Sequence, residues 1–233
     1  MSDKNKNVLA YIVSISFVLF ALLGVVHICC FDNSFYKREH DKLELGGKKI
    51  ADYIGISRDE LMDLTDSTLH YLNDPDASLD LKMKIKGTER EVFTDDEKAH
   101  MVDVRKLNLS ANALCIISFT VFFICLMFYN RKKYEIYLLY RNYGRVLIYV
   151  LVFFGFIGTW ILIDFNSFWN FFHQIFFAGN DLWILDLRKD ILIMIVPPDF
   201  FNDLVLRIVM LFVASILGFW LLLYLANRKK AKQ

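Results

Sequence analysis

The chain has three prolines (Pro75, Pro197, Pro198) and four cysteines (Cys29, Cys30, Cys115, Cys125), and residues 31–114 contain no cysteine. The polar part of the chain therefore has neither a disulfide framework nor a CxxC metal site. The four cysteines lie in or at the ends of apolar stretches and read as small buried apolar residues. HExxH is absent, which removes the common zinc-hydrolase pattern. GxSxG is also absent, and no cysteine is placed as a nucleophile in the polar segments. Lysines and arginines form no patch beyond the loop ends and no nucleic-acid-binding motif occurs, so nucleic acid is not an expected partner. There is no internal repeat or low-complexity tract. No cofactor is expected.

What the chain has in excess is apolar surface. It is 56% hydrophobic and 16% aromatic, with a mean hydropathy of +0.37 over 233 residues. Spanning a hydrocarbon core of about 30 Å takes about 20 helical residues. Residues 8–30 and 109–129 meet that length without an aspartate, glutamate, lysine or arginine, 146–163 is shorter, and 204–226 carries only Arg207 near its start. Arg207 can snorkel from there. The reading is an α-helical integral membrane protein of four transmembrane helices with a small extracellular α+β cap. Its expected parts are an anchor (1–30), the cap (31–108), two spans (109–163) around a basic loop (130–145), an aromatic connection (164–203), and a last span with its tail (204–233). The first stretch is expected to stay as an anchor. It is long for a signal core, and Val26-His27-Ile28 lacks the small residue that a lipoprotein cleavage site wants before Cys29.

Orientation follows from short-loop lysine and arginine. Loop 130–145 holds five against one acid, and tail 227–233 holds four and no acid. By contrast, 164–203 holds six aspartates against Arg188 and Lys189, and the cap holds 18 acidic and 13 basic side chains. Both termini are expected in the cytoplasm and both long connections outside.

Within the cap, residues 33–45 read as a helix ended by Gly46-Gly47. Ser57-x-x-Glu60 is a capping box opening a helix to about Asn73. Alternation over 79–85 predicts a strand that Gly87-Thr88 turns back onto 91–93. Thr94-x-x-Glu97 is a second capping box. With no proline or glycine from Thr94 to Leu126, its helix is expected to run on into the second span. His100 then stands about two turns above the membrane, with Asp103 one turn along the same side. In 164–203, ten of 40 residues are aromatic, too many for a water-exposed loop. Ser167 is a candidate N-cap for a short helix through Phe177 that carries His173, and Pro197-Pro198 stops a second apolar piece at 190–196.

His100 and His173 are the side chains suited to proton transfer at neutral pH. An imidazole among Phe171, Phe172, Phe176 and Phe177 is costly to keep, which makes it a functional candidate. Glu97-x-x-His100 has a di-iron helix spacing, yet such sites need a second ExxH and further glutamates, and Asn170 stands where His173 would need one. No metal is expected. Asp203 and Arg207 form an i,i+4 pair that is either an interfacial ion pair or a clamp for a polar head group.

The run Asp96-Glu97-Lys98-Ala99-His100-Met101-Val102-Asp103-Val104, and the run Phe172-His173-Gln174-Ile175-Phe176-Phe177 followed by Asn180, Trp183, Asp186, Asp190 and Pro197, resemble two signatures of the lipoprotein intramolecular transacylase (Lit) family. The four-span plan fits as well. The resemblance covers essentially the whole chain, with Leu187 a departure where the family often reads Asp-Pro after the tryptophan. It implies transfer of the sn-2 acyl chain of a diacylglyceryl-cysteine lipoprotein onto the cysteine α-amine, giving lyso-form lipoprotein. It also implies catalysis by His100 and His173, bacterial lipoproteins and membrane lipids as partners, and a bacterial plasma-membrane location with the site at the outer face. His100 is expected as general base beside Asp103, with His173 as acid or oxyanion donor, roles that can be exchanged. Phe172, Phe176, Phe177, Trp183 and Arg207 are the expected substrate contacts. A non-enzymatic sensor or partner-binding protein and a lipid-ester hydrolase are the alternatives.

Overall fold

A computed structural model describes residues 3–131 and 135–230, so Lys132, Lys133 and Lys232 of the expected basic clusters lie outside the described residues. In chain order the elements are α1 (Asp3–Cys30), α2 (Asn33–Lys42), β1 (Glu44–Leu45), β2 (Lys48–Lys49), α3 (Ile50–Ile54), α4 (Arg58–Asn73), β3 (Lys82–Ile85), β4 (Thr88–Glu91), α5 (Asp95–Arg131), α6 (Ile136–Ile163), α7 (Phe165–Phe176), α8 (Ile191–Ile195) and α9 (Pro198–Lys230). Four of them, α1, α5, α6 and α9, are long and apolar enough to cross a membrane.

The described chain forms two compact units, Met1–Ile28 with Ala111–Ile163 and Leu206–Gln233, and Cys29–Ser110 with Asp164–Val205. The first, the span unit, turns large apolar residues outward: Tyr149 is 77% exposed, Phe156 72% and Ile163 80%. Hydrocarbon is a suitable solvent for such a surface and water is not. Inside the unit, Phe17 stacks on Phe219 with ring centroids 4.0 Å apart, and the Tyr143 hydroxyl donates to the Ile216 carbonyl at 2.8 Å. Asn142 Nδ2 donates to Asn7 Oδ1 at 2.9 Å.

The second, the cap unit, has a conventional apolar core in which Ile50, Ile54, Leu61, Phe93, Ile191 and Ile195 are almost wholly buried. Two short antiparallel hairpins, β1–β2 and β3–β4, lie at its surface. Both capping boxes form. Ser57 and Glu60 exchange bonds at the start of α4, and Thr94 N–H donates to Glu97 Oε2 at 2.7 Å while Thr94 Oγ1 accepts from Glu97 N–H. From there α5 runs 37 residues without a break. At 1.5 Å per residue that is about 55 Å, well beyond the ~30 Å core, so the charged turns 95–108 precede the spanning part.

Four local expectations are corrected. The helix expected to reach residue 45 stops at Lys42, because Leu43 turns extended and Gly46-Gly47 closes the β1–β2 hairpin. The second turn is Lys86-Gly87, both at positive φ, one residue before the expected Gly87-Thr88, as the pairing Ile85↔Thr88 requires. Asp164, not Ser167, caps α7: its carboxylate accepts from Ser167 N–H at 3.0 Å. The last helix begins at Pro198, where a proline at the first helical position gives up no needed N–H.

Candidate active site

Each histidine reaches the cap interior through a local device. The Thr94–Glu97 box fixes the first turn of α5 and so the face on which His100 lies. His173 sits on the last full turn of α7, where its ring bonds back to the carbonyl one turn earlier. Both are 7% exposed, and their ring centroids lie 6.2 Å apart. Phe177 packs edge-on against His100 at 5.0 Å and lies 5.5 Å from His173. Trp183 stacks on His173 at 4.9 Å, and Trp169 meets it edge-on at 4.7 Å.

The two imidazoles share the wall of an apolar cavity of about 210 Å³ lined also by Tyr36, Met101, Val104, Trp169, Trp183, Leu192, Ile195 and Leu204. Charge is expensive in such surroundings. Burial is the main cause holding His100 down to about pH 4, His173 adds to the effect, and Asp103 opposes it. Burial also lowers His173. Both rings are thus neutral at pH 7. His173 Nδ1 lies 2.8 Å from the Trp169 carbonyl, which can only accept, so Nδ1 carries the proton and Nε2 carries the lone pair. Buried His100 Nδ1 has no hydrogen-bond partner among the described residues.

Asp103 does not orient His100 by a hydrogen bond. Its Oδ2 accepts from Asn180 Nδ2 at 3.1 Å and its Oδ1 pairs with Lys106 at 3.1 Å. Asn180 in turn accepts from Trp183 Nε1 at its backbone carbonyl, 3.2 Å away. Asp103 is thus linked through Asn180 to Trp183, the ring that stacks on His173. The expected contacts divide in the same way: Trp183 lines the cavity and Phe177 packs on both imidazoles. Phe172 stacks on Trp169 and meets His173 edge-on at 5.5 Å, and half-exposed Phe176 packs tilted on Phe172, so both buttress the site without lining the cavity. Asp203 is bound by Lys42, and Arg207 is not among the cavity-lining residues.

Two important roles were not read from sequence. Trp169 supplies both a ring and the carbonyl that sets the His173 tautomer. Glu97 is fully buried, and beyond its capping bond its Oε1 accepts from Leu192 N–H at 2.7 Å, tying the histidine-bearing helix to the α8 wall of the cavity. Burial raises its carboxyl above the usual range. Those bonds commit Glu97 to backbone donors in place of the metal role its ExxH spacing allows.

The fold and site define a membrane-integral protein with four apolar helices and a neutral imidazole pair on the wall of an apolar, ring-lined cavity. Comparison with curated proteins returned no match. The profile of the family "Lipoprotein intramolecular transacylase Lit" matches residues 11–201. The chain belongs to that family and is an enzyme of its transacylase class. Among solved structures it is similar to the membrane-integral lipoprotein intramolecular transacylase Lit from Bacillus cereus, with 20% identity, a TM-score of 0.81, and 99% of each chain covered. It is similar as well to that protein with a histidine replaced by arginine (20% identity, TM-score 0.75, 99% of this chain and 96% of that one). The form with alanine at the same histidine gives 19% identity and a TM-score of 0.75, with 99% and 97% covered.

Proposed function

We propose that this enzyme moves the sn-2 acyl chain of a diacylglyceryl-cysteine lipoprotein onto the α-amine of the same cysteine, leaving a lyso-form lipoprotein in a bacterial plasma membrane. The observation that carries the reading is the pair of neutral imidazoles 6.2 Å apart on one apolar cavity, in a chain of the Lit family. The N–C bond to the acyl carbonyl forms, the glyceryl C–O ester bond breaks, and one proton passes from amine to glyceryl oxygen. No external reactant is consumed.

His173 is the base. Its Nδ1–H is held by the Trp169 carbonyl, so Nε2 is free to take the amine proton and return it to the leaving glyceryl oxygen. His100, a neutral imidazole, offers an N–H to the oxyanion that develops on the carbonyl. This exchanges the roles given to the two histidines on sequence alone. A substrate amine ordinarily near 7.7–8.0 is lowered in the same apolar surroundings, so it enters the reaction neutral.

Ester to amide is downhill, and donor and acceptor belong to one molecule. What the protein supplies is mainly orientation, for which about 7–11 kcal/mol of barrier is available. Acid–base assistance adds roughly 10²–10⁴-fold. Packed rings that exclude water favour transfer over hydrolysis. In this reading the site faces the outer leaflet and both termini are cytoplasmic, as the loop charges favour.

The test is expression in a host lacking N-acylated lipoproteins. The product is an isomer of the substrate, so intact mass does not change, and fragmentation at the cysteine thioether decides. An acyl chain retained on the amino-terminal fragment supports transfer. Free fatty acid with a bare amine identifies a hydrolase instead.

A further inference from the structure

On the other side of α8 from the histidine cavity lies a second, open cleft of about 630 Å³. Ile191 and Met194 of α8 face this cleft, while Leu192 and Ile195 face the cavity. Its charge is opposite to that of its surroundings. The cap unit contains fifteen lysines and arginines and twenty-four acids, yet the cleft gathers Lys48, Lys86, Arg90, Arg188 and Lys189 against Asp52 alone. Arg188 is bound by Asp186, and Lys189 approaches Asp190 at 4.0 Å. Lys48, Lys86 and Arg90 form no ion pair among the described residues. Three uncompensated cations and two more beside them hold a positive potential that an anion relieves.

The walls are fixed before any ligand arrives. Lys86 N–H donates to the Gly55 carbonyl at 3.1 Å, which docks the β3–β4 hairpin on the end of α3. Gly55 is at φ +88°, and a Cβ there would meet Lys86 Cγ at 2.5 Å, so the close seat depends on glycine. Tyr53 binds the Leu187 carbonyl through its hydroxyl at 3.3 Å, joining α3 to the 188–194 wall. Ile54, Ile85, Ile191 and Met194 give the cleft an apolar side next to its cations.

We infer that this cleft binds a phosphate-bearing anion, the charge of a phosphoryl group meeting Lys48, Lys86 and Arg90 and any attached glyceryl or alkyl part lying on the apolar side. A multiply charged compact group suits cations gathered around one cleft better than a chain of spaced carboxylates does. The phosphate is that of a free small molecule or of a phospholipid headgroup. The inference stands apart from the acyl-transfer reading, and binding is measured without reference to turnover.

The test uses the full chain in neutral detergent titrated with inorganic phosphate and with glycerol phosphate, and the full chain in nanodiscs of phosphatidylglycerol mixed with phosphatidylcholine, with retained lipid read by native mass spectrometry. The inference predicts saturable, salt-sensitive binding of a phosphate probe, retention of phosphatidylglycerol over phosphatidylcholine, or both. Binding of the soluble probes alone assigns a free ligand, and lipid retention alone assigns a headgroup. Lys48→Gln/Lys86→Gln/Arg90→Gln should weaken binding about tenfold or more, and Lys48→Gln/Arg90→Gln, which spares the hairpin seat, somewhat less. Lys82→Gln/Lys84→Gln, which alters two cations outside the cleft, should leave binding within about twofold. The inference is overturned if neither a soluble phosphate probe binds nor phosphatidylglycerol is retained over phosphatidylcholine, if the cleft variants bind as the unaltered chain does, or if oligoglutamate binds there and neither form of phosphate does.

Discussion

The two units of this chain obey opposite rules of burial. The span unit exposes many large apolar side chains, Tyr149, Phe156 and Ile163 among them, and turns tyrosine and asparagine groups inward, as Tyr143 and Asn142 show. The cap unit hides Phe93, Leu61 and Ile191 and leaves most charge on its surface. Exposure alone thus says little until the solvent is known. Against that contrast the histidine pair is the exception that matters: polar groups buried in the unit where water was available to them. Such groups persist at a cost, and the cavity they line gives the cost a purpose.

The sharpest way to break the comparison is to remove the exceptions. His100→Ala and His173→Ala should each lower lyso-lipoprotein formation about 10²–10⁴-fold, read by fragmentation of the N-terminal peptide, with unfolding temperature unchanged or raised. A variant that keeps full activity contradicts the assigned role. Next, the cap core should behave as a water-excluding core: Phe93→Ala, at a side chain 2% exposed, should cost about 3–5 kcal/mol in reversible unfolding. Glu97→Ala should cost about 2–4 kcal/mol, since it leaves the buried Leu192 N–H unpaired and removes part of a helix cap, while Glu97→Gln should cost about half as much. The smallest structural effect belongs to the other unit. Phe156→Ala, on the outward face, should change stability in a bilayer by less than about 0.5 kcal/mol.

A titration sharpens the same contrast. Histidine-resolved NMR, assigned with the alanine variants, should find His100 gaining its proton near pH 4, below the usual 6.5. The sign follows from which state binds the proton. With the folded value lowered, the unfolded chain takes up a proton below pH 6.5 that the folded chain refuses. The stability present above pH 6.5 is therefore lost as pH falls from 6.5 toward 4. A His100 resonance titrating at 6.5 would place the ring in water.

The spans were legible because length and apolarity act locally: about twenty residues are needed whatever the rest of the chain does. The two capping boxes and the unbroken α5 were legible for the same reason, each being set within a few residues. Where the sequence misled, the deciding partner was distant or the choice was between equivalents. Asp164 and Ser167 are both good caps for α7, and only backbone direction selects Asp164. The second oxygen of Glu97 bonds a residue 95 positions away, which no spacing reveals. Asp103 lies one turn from His100, yet its contacts run through Asn180 to Trp183, the ring stacked on His173. Trp169 carried a readable signal, one helical turn before His173, but its carbonyl matters more than its ring.

The central claim is that the two imidazoles act together on one substrate. The most direct measurement is the transfer rate of His100→Ala, His173→Ala and the double variant on a purified diacylglyceryl lipopeptide with a free amine. Joint action predicts that the double variant is scarcely slower than either single one, because removing either ring already disables the unit. Losses that multiply in the double variant would mean that the rings work independently and would contradict the account.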